Sequence, residues 1–271
     1  MNKYKLKSEA NSSLVVVRDN KPKWYLPEHR RNGYRNLHKI NRYGLLLRSD
    51  LVLSLAENYN YNIEKISSVQ KMINHKYFCS LIVGKKQEII YEKYAKDFSK
   101  NTPQTIMSIT KMFLNLFIGE LLEDKKINLN DKISSYLPNI GSGYASATIQ
   151  EVLDMNLINS YSEDYNDPYT SSFLHEPVCG WRLPNILGDV MSQEEYLNNI
   201  EAKKNKDIKN TSNLSHYKSA NTDVLGVLVE KISGKPLRDW FLKVVEAAGC
   251  LLYTSDAADE GLGVDLGGRR I

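Results

Sequence analysis

Cysteine is scarce in this sequence, and what there is lies scattered. Three occur in 271 residues, Cys79, Cys179 and Cys250, with no CxxC pair and no Cys/His spacing of the zinc-ribbon kind, so neither a disulfide framework nor a structural zinc is indicated. A reducing compartment fits. Long apolar runs are also missing: no stretch of about 18 apolar residues occurs, and the opening MNKYKLKSEANSS is polar throughout, without the apolar segment of a secretion signal. A soluble, cytoplasmic protein with no membrane partner is expected. No charge sign dominates, with 36 Lys+Arg against 32 Asp+Glu. At 42% hydrophobic and 25% charged residues the composition is that of an ordinary globular chain, which excludes disordered, collagen-like and disulfide-scaffold classes. The length fits one large domain or two closely packed subdomains.

The charge is unevenly placed. Residues 1–48 hold twelve Lys/Arg and only three acids, Glu9, Asp19 and Glu28. Cations in such density can bind phosphate by releasing counterions, but neither an RNP pattern nor a helix-turn-helix signature accompanies them. Residues 1–62 are therefore taken as a solvated basic strap pinned by Trp24, Tyr25, Tyr34 and Tyr43, and no nucleic-acid partner is expected. The oligomeric state is not legible.

Along the chain, Ile63, Ile66, Val69, Met72 and Ile73 recur at helical spacing. Tyr77 to Val83 and Glu88 to Tyr94 are β-prone runs joined by the turn GKKQ, a hairpin. The pattern from Met107 to Leu122 is apolar nearly all round, which predicts a buried helix. Thr148 is placed to cap a short helix over IQEVLDM. Residues 159–190 form a long irregular stretch containing Pro168, Pro177, Gly180 and Pro184, and loops of that size are commonly functional. Helices are predicted at 193–204, 221–233 and 236–247, the second ending at Gly234 with Pro236 behind it. Two strands followed mostly by helices give an α+β class whose sheet is too small to be complete.

SxxK sets a hydroxyl and an amine on one helical face, where a neutral lysine can take the serine's proton. It occurs three times: Ser68/Lys71 on a polar helix face, Ser215/Lys218 in a polar Asn/Ser loop, and Ser108/Lys111. The last differs because Lys111 is the only formal charge between Lys100 and Glu120, within IMSITKMFLNLFIG. An apolar setting disfavours the ammonium, as a general base requires, and a helix start at Ser108 would offer N–H groups to an oxyanion. A snorkelling lysine on a core helix is the structural alternative. The second segment is HYKSANTDVLGVLVEKISGKPL, in which Tyr217 and Ser219 alternate out of an extended stretch and Asn221 opens an apolar helix. Glu163, Asp164 and Asp167 in YSEDYNDPY have the look of a hard-metal cluster, but carboxylates beside proline commonly cap turns, so no metal and no cofactor is expected. His216 could tune Tyr217 or simply lie exposed. Tyr161, Tyr165, Tyr169 and Trp181 could equally wall a cleft or hold the long loop together.

Together SITK and YKSAN resemble the serine β-lactamase and penicillin-binding-protein-like hydrolases, on the class C β-lactamase-related branch with esterases, D-aminopeptidases and 6-aminohexanoate-dimer hydrolases. FCSLIV and EIIYEKYA are similar to that family's opening hairpin, and DYNDP and GWRLP to its loop beside the active site. The resemblance runs over about 24–249 and is most specific at 106–119 and 216–237. It implies an antiparallel sheet flanked by helices with a helical subdomain, over residues 63–249 of this chain. It also implies a serine hydrolase cleaving a small amide or ester through an acyl-enzyme. Ser108 would be the nucleophile, Lys111 the base and Tyr217 the proton relay, with Ser219, Asn221, Tyr165, Asp167 and Trp181 toward substrate. The alternative is a noncatalytic module of the same fold. The family's third motif, Lys-Thr-Gly or His-x-Gly, has no counterpart after Tyr217, so a truncated, inactive fragment with an open hairpin edge is expected. Lys and Asn vanish from residues 250–271, which resemble a translated sequencing-library adaptor and are expected to be a non-native, loosely packed tail.

Overall fold

The computed structural model describes residues 29–40, 44–167, 169–179, 191–203, 207–212, 214–249 and 253–256. Helix α1 (Arg30–Ile40) opens them and strand β1 (Gly44–Leu47) follows. Of the strap's expected pins, Trp24, Tyr25 and Tyr43 lie outside the described residues. What fastens α1 is charge: Arg31 and Arg35 both pair with Asp97, the latter at 3.0 Å, and hold its carboxyl well below the usual range. Arg35 also sits over the Phe98 ring, 4.9 Å from its centroid, and the Thr105 N–H donates to the Tyr34 carbonyl at 2.8 Å. The cations of this segment are thus spent partly within the fold.

The sheet has three strands in the order β2 (Ala56–Glu57), β4 (Glu88–Tyr94), β3 (Ser80–Lys85). The hairpin pairs Ser80 with Tyr94 and Val83 with Tyr91, then shifts register at Gly84, which faces Ile89. β2 adds in parallel to the other side of β4. Among the described residues β3 is an open edge, as expected for the hairpin. The expected helix over Ile63–Ile73 is broken into a 3₁₀ turn, Tyr61–Lys65, and α2 (Ser67–Ile73), because Ile66 is extended (φ −67°, ψ 126°). Of the tail expected to be loosely packed, only residues 253–256 are described, and these are ordered: β5 (Tyr253–Asp256) pairs antiparallel with β1, Gly44 against Asp256, while the other tail residues lie outside the described residues. Ladder bonds are made by backbone, so the pairing needs no apolar side chain in the segment.

The core is helical. A 3₁₀ turn, Met107–Lys111, runs into α3 (Met112–Glu123), which buries Leu114, Phe117, Ile118 and Leu121. Two short helices follow, α4 (Ser142–Ala145) and α5 (Ile149–Leu153), then α6 (Ser171–His175) and α7 (Gln193–Asn198). Thr148 caps α5 in a reciprocal box with Glu151. Helices α8 (Ser219–Ser233) and α9 (Leu237–Ala247) are separated by Gly234 in the left-handed region at φ 66°. Val224, Leu225 and Leu228 of α8 belong to the same core as the α3 residues. Phe117 meets Phe241 edge-on at 5.2 Å and Trp240 at 5.5 Å. The expectation of an all-round buried helix is corrected: Ile109, Met112 and Leu116 are 60%, 65% and 59% exposed. No described strand covers that face. No described helix is long and apolar enough to cross a membrane.

Gly141 shows how closely the helical part is packed. A β-carbon there would stand 2.2 Å from the Ile200 carbonyl oxygen and 2.8 Å from that of Asn198, whereas one at Gly119 of α3 would meet nothing within 4 Å. Gly141→Ala is expected to destabilise by about 3 kcal/mol and Gly119→Ala to stabilise by about 0.5–1 kcal/mol, both read by urea denaturation.

Candidate active site

Met107 precedes the site with φ 50°, a left-handed conformation that costs a residue bearing a β-carbon roughly 1–2 kcal/mol. The turn it makes leads directly into the 3₁₀ segment, where side chains at i and i+3 eclipse one another. Ser108 and Lys111 therefore stand in line, and the Lys111 Nζ donates to the Ser108 Oγ at 3.1 Å. Tyr217 arrives from the extended stretch before α8, and its hydroxyl donates to the same Oγ at 2.6 Å. Lys111 Nζ lies 5.6 Å from the centre of the Tyr217 ring. Ser108 is exposed and Lys111 half-buried; the apolar neighbours that the sequence places around Lys111 do not enclose it.

The segment around Tyr217 is held from behind. His216 N–H donates to the Met155 carbonyl at 2.8 Å, and Lys218 N–H lies 3.1 Å from the Met155 sulfur. The Lys218 ammonium reaches inward to the Tyr161 carbonyl, and the Ser219 N–H donates to the Glu163 carboxylate. Tyr165 OH donates to the same carboxylate at 2.8 Å. Glu163 and Lys218 thus form a polar bracket on the two residues that follow Tyr217. Sequence reading missed both: Glu163 was weighed as a metal ligand, and Lys218 as a solvated loop lysine, yet Lys218 is only 7% exposed. No local pattern marks a lysine in an Asn/Ser loop as buried.

The remaining predicted residues divide. Ser219 lies beside Tyr217, half-buried. Tyr165 is exposed on the loop near the bracket, stacked obliquely 6.0 Å from Phe173. Asp167 accepts from the Tyr169 N–H at 2.9 Å and Asp164 from the Asn166 N–H at 3.0 Å, so both cap their own turn. Asn221 does not face the cleft. It is fully buried, accepting from Tyr144 OH at 2.9 Å and donating to the Val152 carbonyl at 3.2 Å, because the first turn of α8 faces the core rather than Ser108. Trp181 lies outside the described residues. Of the loop aromatics, Tyr161 is buried as glue and Tyr169 is exposed. His216 is exposed, 3.3 Å from the Ser212 hydroxyl.

Burial pulls the Lys218 amine down from its ordinary 10.5 to about 8. Between those values the unfolded chain binds a proton that the folded chain has released, so stability rises with pH across that window. Urea midpoints of wild type and Lys218→Met, measured from pH 7.5 to 10.5, are expected to diverge in the wild type's favour as pH rises through this range; parallel curves would contradict the burial of a titrating amine.

Comparison with known proteins shows what the chain resembles. The family profile described as Beta-lactamase matches residues 79–247, the span that holds the hairpin, Ser108, Lys111 and Tyr217. A 6-aminohexanoate-dimer hydrolase of Paenarthrobacter ureafaciens is 29% identical over 181 residues, which cover 66% of this chain and 43% of the relative. The chain thus spans less than half the length of that curated relative. Among solved structures, a protein of Bacillus anthracis provisionally described as a 6-aminohexanoate-dimer hydrolase superposes with a TM-score of 0.69 at 16% identity, over 90% of this chain and 67% of its own. FmtA from Staphylococcus aureus aligns at a TM-score of 0.45 and 22% identity, over 70% of this chain and 50% of its own. With its helical core, its small mixed sheet and the fold shared with the Bacillus anthracis protein, the chain has a β-lactamase-like fold and belongs to the Beta-lactamase family of hydrolases.

Proposed function

We propose that this protein cleaves an amide or ester bond through an acyl-enzyme formed on Ser108. The observation that carries the reading is the meeting of two proton-handling groups on one hydroxyl: Lys111 Nζ at 3.1 Å and Tyr217 OH at 2.6 Å from the Ser108 Oγ. Attack by Oγ on the substrate carbonyl requires its proton to leave, and the Lys111 amine, in its neutral form, is placed to accept it. Tyr217 contacts the same oxygen from another segment of the chain, where it can pass a proton to the leaving amine or alkoxide. Collapse of the tetrahedral intermediate expels that group, and water then hydrolyses the Ser108 ester by the same route reversed. Because a relative bears the name 6-aminohexanoate-dimer hydrolase, that dimer is the first substrate to try.

The exposure of Ile109, next to Ser108 in the chain, and of Met112 and Leu116 further along α3 supports a second reading, a binding module that holds a ligand without turning it over. A fluorophosphonate probe separates the two. Covalent labelling is expected on Ser108, lost in Ser108→Ala and slowed about 10²–10⁴-fold in Lys111→Ala. A folded protein that labels on no serine would sink the hydrolase reading in favour of the module. Glu163→Gln is expected to slow labelling without moving it from Ser108, since this substitution weakens the bracket on Tyr217 and leaves Ser108 and Lys111 in place; unchanged labelling would mean the Glu163 contact does not hold the tyrosine.

A further inference from the structure

A second cluster of reactive side chains lies behind the site, where the loop after residue 159 meets α8. The chain leaves α6 in a turn in which the Cys179 N–H donates to the His175 carbonyl at 3.1 Å, so His175 and Cys179 stand one helical turn apart on one side. Asp223 projects toward them from α8. A ring nitrogen of His175, the Cys179 sulfur and an Asp223 oxygen all lie within 4.8 Å of one another, and His175 Nδ1 is 3.7 Å from Asp223 Oδ2. His175, Asp223 and Gln193 are 3%, 7% and 2% exposed, and Cys179 is half-buried. The Tyr196 ring stacks on the imidazole at 4.2 Å. The Gln193 Oε1 lies 3.1 Å from His175 Nε2 and 3.7 Å from the Cys179 sulfur, and the same side chain interacts with the Asp223 carboxyl.

We propose that His175, Cys179 and Asp223 bind one divalent cation of the zinc class, which ties the loop to α8. Charge balances: the cation displaces one proton from the thiol and one from the carboxyl, and the resulting thiolate and carboxylate neutralise its two charges. Bonds of about 2.0–2.3 Å in a tetrahedron put ligand atoms roughly 3.3–3.7 Å apart. The His175–Asp223 pair already has that spacing, and the widest pair needs to close by only about 1 Å. Thiolate with imidazole selects a borderline cation over magnesium or calcium. Gln193 fits as the outer support, its carbonyl accepting from His175 Nε2–H while Nδ1 faces the cation, the arrangement that fixes a ligating imidazole. Three protein ligands leave a fourth position for water. Without a cation, His175 Nδ1 and Asp223 Oδ2 stand 3.7 Å apart, too far for a hydrogen bond, and Nδ1 has only the long contact of the Tyr161 hydroxyl at 3.4 Å, which a cation would displace. The absence of paired cysteines in the sequence gave no hint of this, because the third ligand comes from a helix far along the chain.

The test uses the 271-residue chain, stripped with a chelator and titrated with Co²⁺ and Zn²⁺. One equivalent of Co²⁺ is expected to bind with a near-ultraviolet thiolate-to-cobalt charge-transfer band and the strong visible bands of a tetrahedral site. Cys179→Ser should abolish the charge-transfer band, Asp223→Asn should weaken Co²⁺ at least tenfold, and Gln193→Ala should weaken it about 10-fold through the lost support. A Cys79→Ser/Cys250→Ser variant should keep the band. If the ligand variants do not fold by circular dichroism, Zn²⁺ protection of Cys179 from alkylation in the wild-type chain, read by peptide mass spectrometry with Cys79 as the unprotected reference, decides. Folded wild type that binds no Co²⁺, a band that survives Cys179→Ser, or equal alkylation with and without Zn²⁺ would each overturn the site. None of these measurements depends on hydrolysis.

Discussion

The seam between α3 and α8 is what the candidate site hangs on. Ser108 and Lys111 are carried by the turn that feeds α3, Tyr217 by the stretch that feeds α8, and the two helices meet through the core. Leu114, Phe117, Ile118 and Leu121 on one side and Val224, Leu225 and Leu228 on the other are all buried, and each such side chain contributes about 1.5–3 kcal/mol on burial. The hydrogen bond from Tyr217 to Ser108 is worth about 0.5–1.5 kcal/mol. Packing therefore sets where the two hydroxyls meet, and the bond follows from it. Phe241 and Trp240 of α9, wedged against Phe117, extend the same seam.

Packing of the helices does not by itself fix the short extended segment that carries Tyr217. That is left to polar groups. Lys218 gives up hydration to reach the Tyr161 carbonyl, and its depressed pKa records the strain between charge and burial. Glu163 faces the opposite demand, a carboxylate accepting from a backbone N–H and a phenol. Both contacts come from the two residues that follow Tyr217 and both end on residues 161–163, so a displacement of that stretch would pull on the segment that carries the tyrosine. The same loop continues to His175 and Cys179, which is why a cation behind it would bear on a segment in contact with the site.

What was legible in the sequence was local. Thr148 with Glu151, Gly234 with Pro236, the hairpin and the one-turn spacing of Ser108 and Lys111 each depend on a few neighbouring residues, and each is formed in the fold. The failures were nonlocal. The parallel pairing of β2 with β4 joins segments that no periodicity connects. Asn221 is a polar residue at a helix start and was assigned toward substrate, yet Tyr144 and Val152 claim its amide inside the core. The apolar run from Met107 to Leu122 stated what can be buried; burial itself depends on what lies opposite, and one face has no described neighbour.

That uncovered face bears on chemistry more than on stability. Ser108, Lys111 and Tyr217 satisfy the distances that proton transfer demands, but distance is one part of catalysis and the surrounding field is another. Charge stabilisation at a developing oxyanion is strong where water is excluded and weak where it is not. Ile109, one residue after the serine, and Met112 and Leu116 beyond it present their side chains to solvent, so the serine's surroundings keep a high dielectric. An apolar partner laid over these three residues would remove water from the neighbourhood of Ser108 and strengthen the electrostatic contacts already in place. The same three side chains therefore link two properties: how readily this helix associates with another apolar surface, and how dry the surroundings of Ser108 are.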